Sequence, residues 1–323
     1  MVLLWGSLAI RVHWHGIFTV LCMKIHCPRS HCSSAISRSP KTRTVVRNGY
    51  FRKKSESRWV RRYFCKNCRS YFSRSTFRAD RYQKKRRFNV VIDRLYDSGV
   101  SQRRLARVLG LNPKTVVRKI RFLAEQKRIG HGLFLESHYR RHPLTAIQFD
   151  DLETSEHTKC KPLSVTLAVD PGTRKILQFQ VSQMPAKGHL AKISLKKYGK
   201  RPDERPQAWD SLMRQLVGYA APDCTWTSDE NPHYPAVLKK HHPHAVHIQV
   251  KGARGAVTGQ GELKKIPFDP LFSLNHTCAM LRANMNRLFR RTWCTTKTRQ
   301  GLIDHLWMYV DYHNRVLTPD IRS

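Results

Sequence analysis

A chain of 323 residues with an apolar fraction of 40% has the length for two or three domains and the material for real cores, which excludes a disordered polycation. Its 60 Lys and Arg against 22 Asp and Glu leave a formal charge of +38, spread along the whole length. A charge that large calls for a polyanionic partner, because each cation set against a phosphate releases condensed counterions. Nucleic acid is the expected partner; no stretch is long and apolar enough to argue for a membrane.

Residues 1–22 are apolar, but they lack a basic start and a small-residue cleavage site, and Arg11, His13 and His15 interrupt the run. They read as a disordered extension, with Met23 as an alternative start. Nine Cys, an odd number in a basic chain without an export signal, argue against a disulfide framework and for a reducing, cytoplasmic home.

Residues 23–80 carry two cysteine pairs, Cys27 with Cys32 and Cys65 with Cys68, on either side of a basic, β-prone run from Thr44 to Phe64. Two pairs on two knuckles can set four thiolates around Zn²⁺, replacing the core that so small a unit cannot bury. The spacing of the first pair is wider than usual, so Cys22, His26 and His31 compete as ligands, and four unrelated reduced cysteines remain the alternative. A zinc-ribbon DNA-binding module is the reading that follows.

In residues 81–130, Phe88–Tyr96 has a short helical pattern, Ser101 can cap a helix through Leu109, and Gly110 can end it. Leu111-Asn112-Pro113 then restarts a basic helix over Lys114–Arg121. Helix, Gly-containing turn and basic helix define a helix-turn-helix, with Leu105, Leu109, Val116 and Ile120 as its small core. Arg103, Arg104, Lys114, Thr115, Arg118, Lys119 and Arg121 are then the candidate DNA contacts. A plain two-helix unit with a solvated basic face is the alternative.

A linker is expected over residues 131–144, and an α/β domain over 145–323. Its strands are expected at Ala146–Asp150, Leu163–Val169, Lys175–Val181, Cys224–Ser228 and Ala245–Val250. Helices are expected at Gln207–Val217 and Tyr234–Lys240. Pro185–Arg205 reads as a basic loop and the Gly- and Lys-rich stretch near 251–270 as a mobile insertion. Three antiparallel strands followed by helix, strand, helix and strand match a ribonuclease H-like mixed sheet flanked by helices.

Phosphoryl transfer on DNA needs one oxygen activated and another neutralised, and two Mg²⁺ (or Mn²⁺) ions held by carboxylates do both. Asp150 and Asp229, at the ends of expected neighbouring strands, suit such hard cations, although acids there can also cap turns or pair with Arg. Asp151, Glu153 and Glu156 lie close enough to Asp150 to be mistaken for it. His241, His242, His244 and His247 read as a polar loop end, since Pro243 breaks the helical spacing of a metal site. Trp293, Leu306, Trp307 and Val310 read as core.

With Phe149-Asp150-Asp151, Ser228-Asp229-Glu230-Asn231-Pro232-His233-Tyr234 and the stretch from Leu274 to Thr292 in view, the chain resembles the DDE-superfamily transposases of bacterial insertion sequences. The resemblance implies a ribonuclease H-like core that cuts DNA and transfers the freed strand. It also implies a third metal ligand, usually Glu, at Asn275, and a basic residue seven positions on at Arg282. Asn in place of Glu makes an Asp-Asp-Asn triad, with Glu262 as the nearest acid able to substitute. The implied partners are double-stranded DNA, as terminal inverted repeats and target, and further copies of the chain in a dimer or higher assembly. The implied setting is the bacterial nucleoid. The alternative is a catalytically inactive, DNA-binding relic or regulator.

Overall fold

The computed structural model describes residues 25–36, 44–53, 58–251, 269–289 and 294–319. The expected extension at 1–22, Cys22, Met23, Trp293 and most of the expected insertion, Glu262 included, lie outside the described residues. The chain forms two compact units, Met1–Val91 and Ile92–Ser323.

The first unit holds a short helix α1 (Ser33–Ile36) and three strands, β1 (Val45–Lys53), β2 (Arg58–Cys65) and β3 (Tyr71–Phe72), antiparallel in the order β1-β2-β3. A bulge falls between Arg47 and Tyr50, where Gly49 takes φ 62°, a left-handed conformation glycine adopts without strain. Strand alternation sends Tyr63 and Cys65 to one face, where they bury with Phe72, Cys27 and Cys32. Among the described residues this is a thin core for a unit of this length, and three of its five buried side chains are cysteines.

Helix α2 (Phe88–Asp97) contains the border between the units, and α3 (Gln102–Val108) and α4 (Pro113–Tyr139) follow it. Ser101 caps α3, its side chain accepting from the Arg104 N–H, and Asn112 caps α4 by accepting from the Lys114 N–H at 2.9 Å. Gly110, at φ 58°, makes the left-handed turn between them. Leu105, Val116 and Ile120 are buried as expected; Leu109 is half-buried, and Leu111 takes the buried place beside them.

The expected linker over 131–144 is corrected: α4 runs on to Tyr139, about five turns beyond the expected end at Arg121. Gly130 and Gly132 weaken helix propensity there, but burial decides the matter. His131 is buried with its ring bonded to the Leu177 carbonyl at 2.7 Å, and Leu135 enters the sheet core. Lys127, mid-helix, lies 2.9 Å from Asp93 on α2 and 2.5 Å from Asp311.

Strands β4 (Leu144–Ser155), β5 (Pro162–Val169), β6 (Ile176–Gln183), β7 (Ala220–Asp229) and β8 (Val246–Val250) form a mixed sheet in the order β6-β5-β4-β7-β8. The first three pair antiparallel, while β7 and β8 run parallel to β4. Helices α6 (Arg205–Leu216) and α7 (Tyr234–His241) cover one face, with Trp209 of α6 packed over Ile147, Phe149 and Trp226; α8 (Phe272–Asn284) and α9 (Arg299–Tyr312) cover the other over Leu152, Val165 and Leu167. This is an α/β arrangement compatible with a ribonuclease H-like core.

Two further expectations are corrected. The Pro185–Arg205 segment contains a helix, α5 (Leu190–Tyr198), closed by Gly199 at φ 72° and tied down where Ser194 donates to the Cys160 carbonyl at 2.6 Å. The strand expected to stop at Asp150 continues to Ser155, because β5 pairs with it through Asp150↔Leu167 to Ser155↔Pro162. Among the described residues no helix is long and apolar enough to cross a membrane.

Candidate functional site

The central strand β4 is where the sheet changes from antiparallel to parallel, and the carboxyl ends of parallel strands are where open α/β sheets place their sites. Pairing between β4 and β7 runs to Gln148↔Thr227. Asp150 and Asp229 lie two residues past that pair, and the period of two turns both to the face that Gln148 presents to α8. Gln148 marks that face: its amide donates to the Pro270 carbonyl at 2.8 Å, and its oxygen accepts from the Leu274 N–H at 3.0 Å. The two acids singled out from the sequence are therefore neighbours across adjacent strands.

Electrostatics agrees with that placement. Asp150 is pushed up to about 7, first by burial and then by the Asp229 charge, with the Asp151 N–H and the Tyr234 hydroxyl opposing the rise. That hydroxyl, on the first turn of α7, donates to Asp150 Oδ1 at 3.4 Å. Asp229 is also raised, by burial and the charges of Asp151 and Glu230, against an opposing bond from the Asn231 N–H at 3.2 Å. Two half-buried carboxyls that cannot both ionise comfortably are a recognised mark of a functional site.

The neighbouring acids separate by role. Asp151 points to the opposite face, where it accepts from Trp209 Nε1 at 2.9 Å and from Thr166 Oγ1. Glu153 pairs with Lys187 at 2.6 Å, and Glu156 lies 3.9 Å from Lys161.

Helix α8 presents Asn275, Cys278 and Arg282 on one stripe. The Cys278 thiol is pushed up to about 12 by burial, with Arg282 opposing the rise and the Asp150 charge adding to it. Asn275 is exposed, and its amide nitrogen donates to Asp269 Oδ2 at 2.9 Å. Arg282 is half-buried, while Leu281, Met285 and Leu288 face the core.

Tyr234 and Cys278 fall within the motif stretches, yet neither they nor Asp269 carry a sequence signal that assigns them to the site. An Asp just ahead of a helix is a capping signal, and Asp269 does accept from the Leu271 N–H at 2.9 Å, so its pattern was readable as structure but not as a site. Tyr234 and Cys278 give no local signal; only the fold sets them beside Asp150.

The four cysteines of the first unit converge. Their sulfurs all lie within 4.8 Å of one another, with Cys27–Cys68 at 3.4 Å and Cys32–Cys65 at 3.7 Å. Tetrahedral zinc–thiolate geometry, with bonds of about 2.3 Å, sets its sulfurs roughly 3.8 Å apart, so this cluster could hold a metal ion such as zinc. His26 packs instead on Phe77, 5.0 Å between ring centroids, and His31 is exposed. Burial pushes the Cys27 thiol up to about 12, while a hydrogen bond from Ser70 leads in lowering Cys68 to about 6.

Of the expected DNA contacts, Arg103, Arg104, Lys114, Arg118 and Arg121 are exposed and Thr115 is half-buried. Arg121 lies 3.6 Å from Asp304. Lys119 is corrected: at 4% exposure it belongs to the buried side of α4 and cannot face outward. The histidines serve separate structural ends, His241 on Asp210 at 2.8 Å, His242 on the Met213 carbonyl at 3.1 Å and His247 on Ser228 at 2.9 Å. Trp307 is partly buried against Phe179, with Leu306 and Val310 fully in the core.

No protein-family model matches the chain, and no curated protein matches it either.

Proposed function

We propose that the chain is a DNA transposase of the DDE type, in which a zinc-ribbon module and a helix-turn-helix hold DNA while the mixed sheet cuts and joins it. The observation that carries this reading is the Asp150–Asp229 pair at the antiparallel-to-parallel boundary of the sheet, Asp150 pushed up to about 7, within a chain of charge +38. Arg103, Arg104, Lys114 and Arg118 fit contacts to the DNA backbone. Asp150 and Asp229 fit a hard divalent cation through their oxygens, with Asn275 as a neutral third donor. Magnesium or manganese held there supplies charge neutralisation at the scissile phosphate and a more acidic attacking water. Tyr234 holds Asp150 Oδ1 in place, and Arg282, two turns along α8 from Asn275, meets a phosphate beside the cut. Holding two DNA ends together calls for a dimer or higher assembly on DNA.

A second reading, a DNA-binding protein that has lost catalysis, is favoured by one observation. Asn275 is neutral where the family it resembles usually carries Glu, and its amide nitrogen is engaged with Asp269.

One experiment separates the two. Labelled DNA ends from the protein's own locus are incubated with Mg²⁺ or Mn²⁺ and wild type, Asp150→Ala, Asp229→Ala or Asn275→Glu. Metal-dependent joined product that both alanine variants abolish supports the transposase. Binding without cleavage, with activity regained in Asn275→Glu, supports the relic.

A further inference from the structure

The cysteine cluster occupies one face of the three-stranded sheet, and the register defines what the other face carries. Along β2, residues 63 and 65 point to the cluster, so Val60, Arg62 and Phe64 point away from it. Directly paired residues share a face: Phe51 pairs with Val60, Lys53 with Arg58, and Tyr71 with Phe64. Phe51, Lys53, Arg62 and Tyr71 therefore stand together on the far face, where they line one hollow with Arg81 and Tyr82 from the segment after β3.

These rings are not core. Tyr71 is 59% exposed and Tyr82 86%, in a unit with little apolar surface to spare. Each has a guanidinium against its ring, Arg62 5.1 Å from the Tyr71 centroid and Arg81 4.9 Å from that of Tyr82. Arg62 is itself aimed by donating from Nε to the Asn48 carbonyl at 3.0 Å. Among the described residues that line the hollow none is acidic, and the sequence of residues 1–91 holds two acids, Glu56 and Asp80.

We propose that this face is a single-stranded DNA platform, on which unpaired bases stack against Tyr71, Tyr82 and Phe51 while Arg62, Arg81 and Lys53 meet the phosphates. Stacking on a ring needs a base whose own face is free, which a strand offers and a duplex does not. A duplex presents base edges in grooves, read by an inserted helix or ribbon, and this face offers a concave floor of rings instead. The anionic backbone complements the cationic rim, and bases stack on guanidinium planes as well as on rings. The inference stands apart from cleavage at the mixed sheet, since neither Asp150 nor Asp229 enters its test.

The test is fluorescence anisotropy on the full chain at one fixed salt concentration. The probes are a labelled oligothymidylate of about 12 nucleotides, within the usual footprint of such platforms, and a duplex of the same length. Tyr71→Ala and Tyr82→Ala should each weaken the single strand on the order of tenfold, leave the duplex within about twofold, and be rescued by Tyr71→Phe and Tyr82→Phe. Equal losses on strand and duplex, no loss on either, or phenylalanine variants as weak as alanine overturn the proposal. Tighter binding of an oligouridylate than of the oligothymidylate also overturns it, by making RNA the occupant. Should Tyr71→Ala fail to fold, Tyr82→Ala alone decides, because a ring that exposed contributes little to folding.

Discussion

Lys127→Met tests the contact that fastens the middle of α4 to its surroundings. Lys127 is buried, 2.9 Å from Asp93, 3.8 Å from Asp97 and 2.5 Å from Asp311, with Arg315 adding a second cation 3.3 Å from Asp311. Met retains the aliphatic stem, so the substitution chiefly removes charge and leaves three carboxylates facing one another. Breaking a buried pair from one side costs about 3–5 kcal/mol, and that is the expected loss at pH 8. Asp97 is already pushed up to about 8, first by burial and then by the Asp93 and Asp311 charges, against Lys127. A carboxyl raised in the folded state contributes stability that is full below its unfolded value near 4 and is lost as pH rises through about 8. Acid therefore relieves the variant: near pH 4 Asp97 holds its proton and adds no charge to the cluster, and the cost should fall to less than about half of its value at pH 8. Urea unfolding of wild type and variant at both pH values, followed by far-UV circular dichroism, measures this. The same cost at both pH values would mean that only packing was lost, and a cost under about 1 kcal/mol at pH 8 would refute the network's role.

In Asp229→Asn, the carboxyl of Asp150 should titrate below about 7 yet above the ordinary Asp range, because burial remains when the neighbouring charge has gone; carboxyl-carbon NMR reads this directly, and an unmoved Asp150 would separate the pair. A chelator, or Cys65→Ser, should unfold the three-stranded sheet while leaving the thermal transition of residues 92–323 in place, since the cysteine cluster is the centre of the first unit's core; retention of that sheet after metal removal would show that the cluster holds without a cation. Arg118→Gln should weaken duplex binding and lower the salt slope by about 1, whereas Lys119→Gln should lower stability and leave the slope alone; equal slope changes would return Lys119 to the surface.

Local chemistry made much of this molecule legible. Ser101, Gly110 and Asn112-Pro113 carry helix starts and stops within a few residues, so α3 and the beginning of α4 were readable from cap and turn preferences alone. Alternation and β-branched runs likewise marked β5, β6 and β8. The cysteine pairs were readable as a group because four sulfurs in one small basic stretch have few other uses. Asp150 and Asp229 were readable as candidates because each follows an apolar strand pattern.

What the sequence left open depends on contacts between distant residues. The length of α4 was hidden because Gly130 and Gly132 argue locally for a break, and only burial of His131 and Leu135 against the sheet overrules them. Lys119 looked like one more outward cation in a basic helix, and its inward position follows from which side of α4 meets a partner, something charge does not encode. The end of β4 lies beyond the expected one because pairing with β7 stops at Gln148 while β5 carries the strand onward to Ser155. Tyr234 reaches Asp150 through tertiary packing, whereas Asp269 meets Asn275 through a local contact ahead of α8. Residue type set the chemistry available to this chain, and the fold decided which groups stand close enough to use it, because burial and proximity are properties of the packed structure.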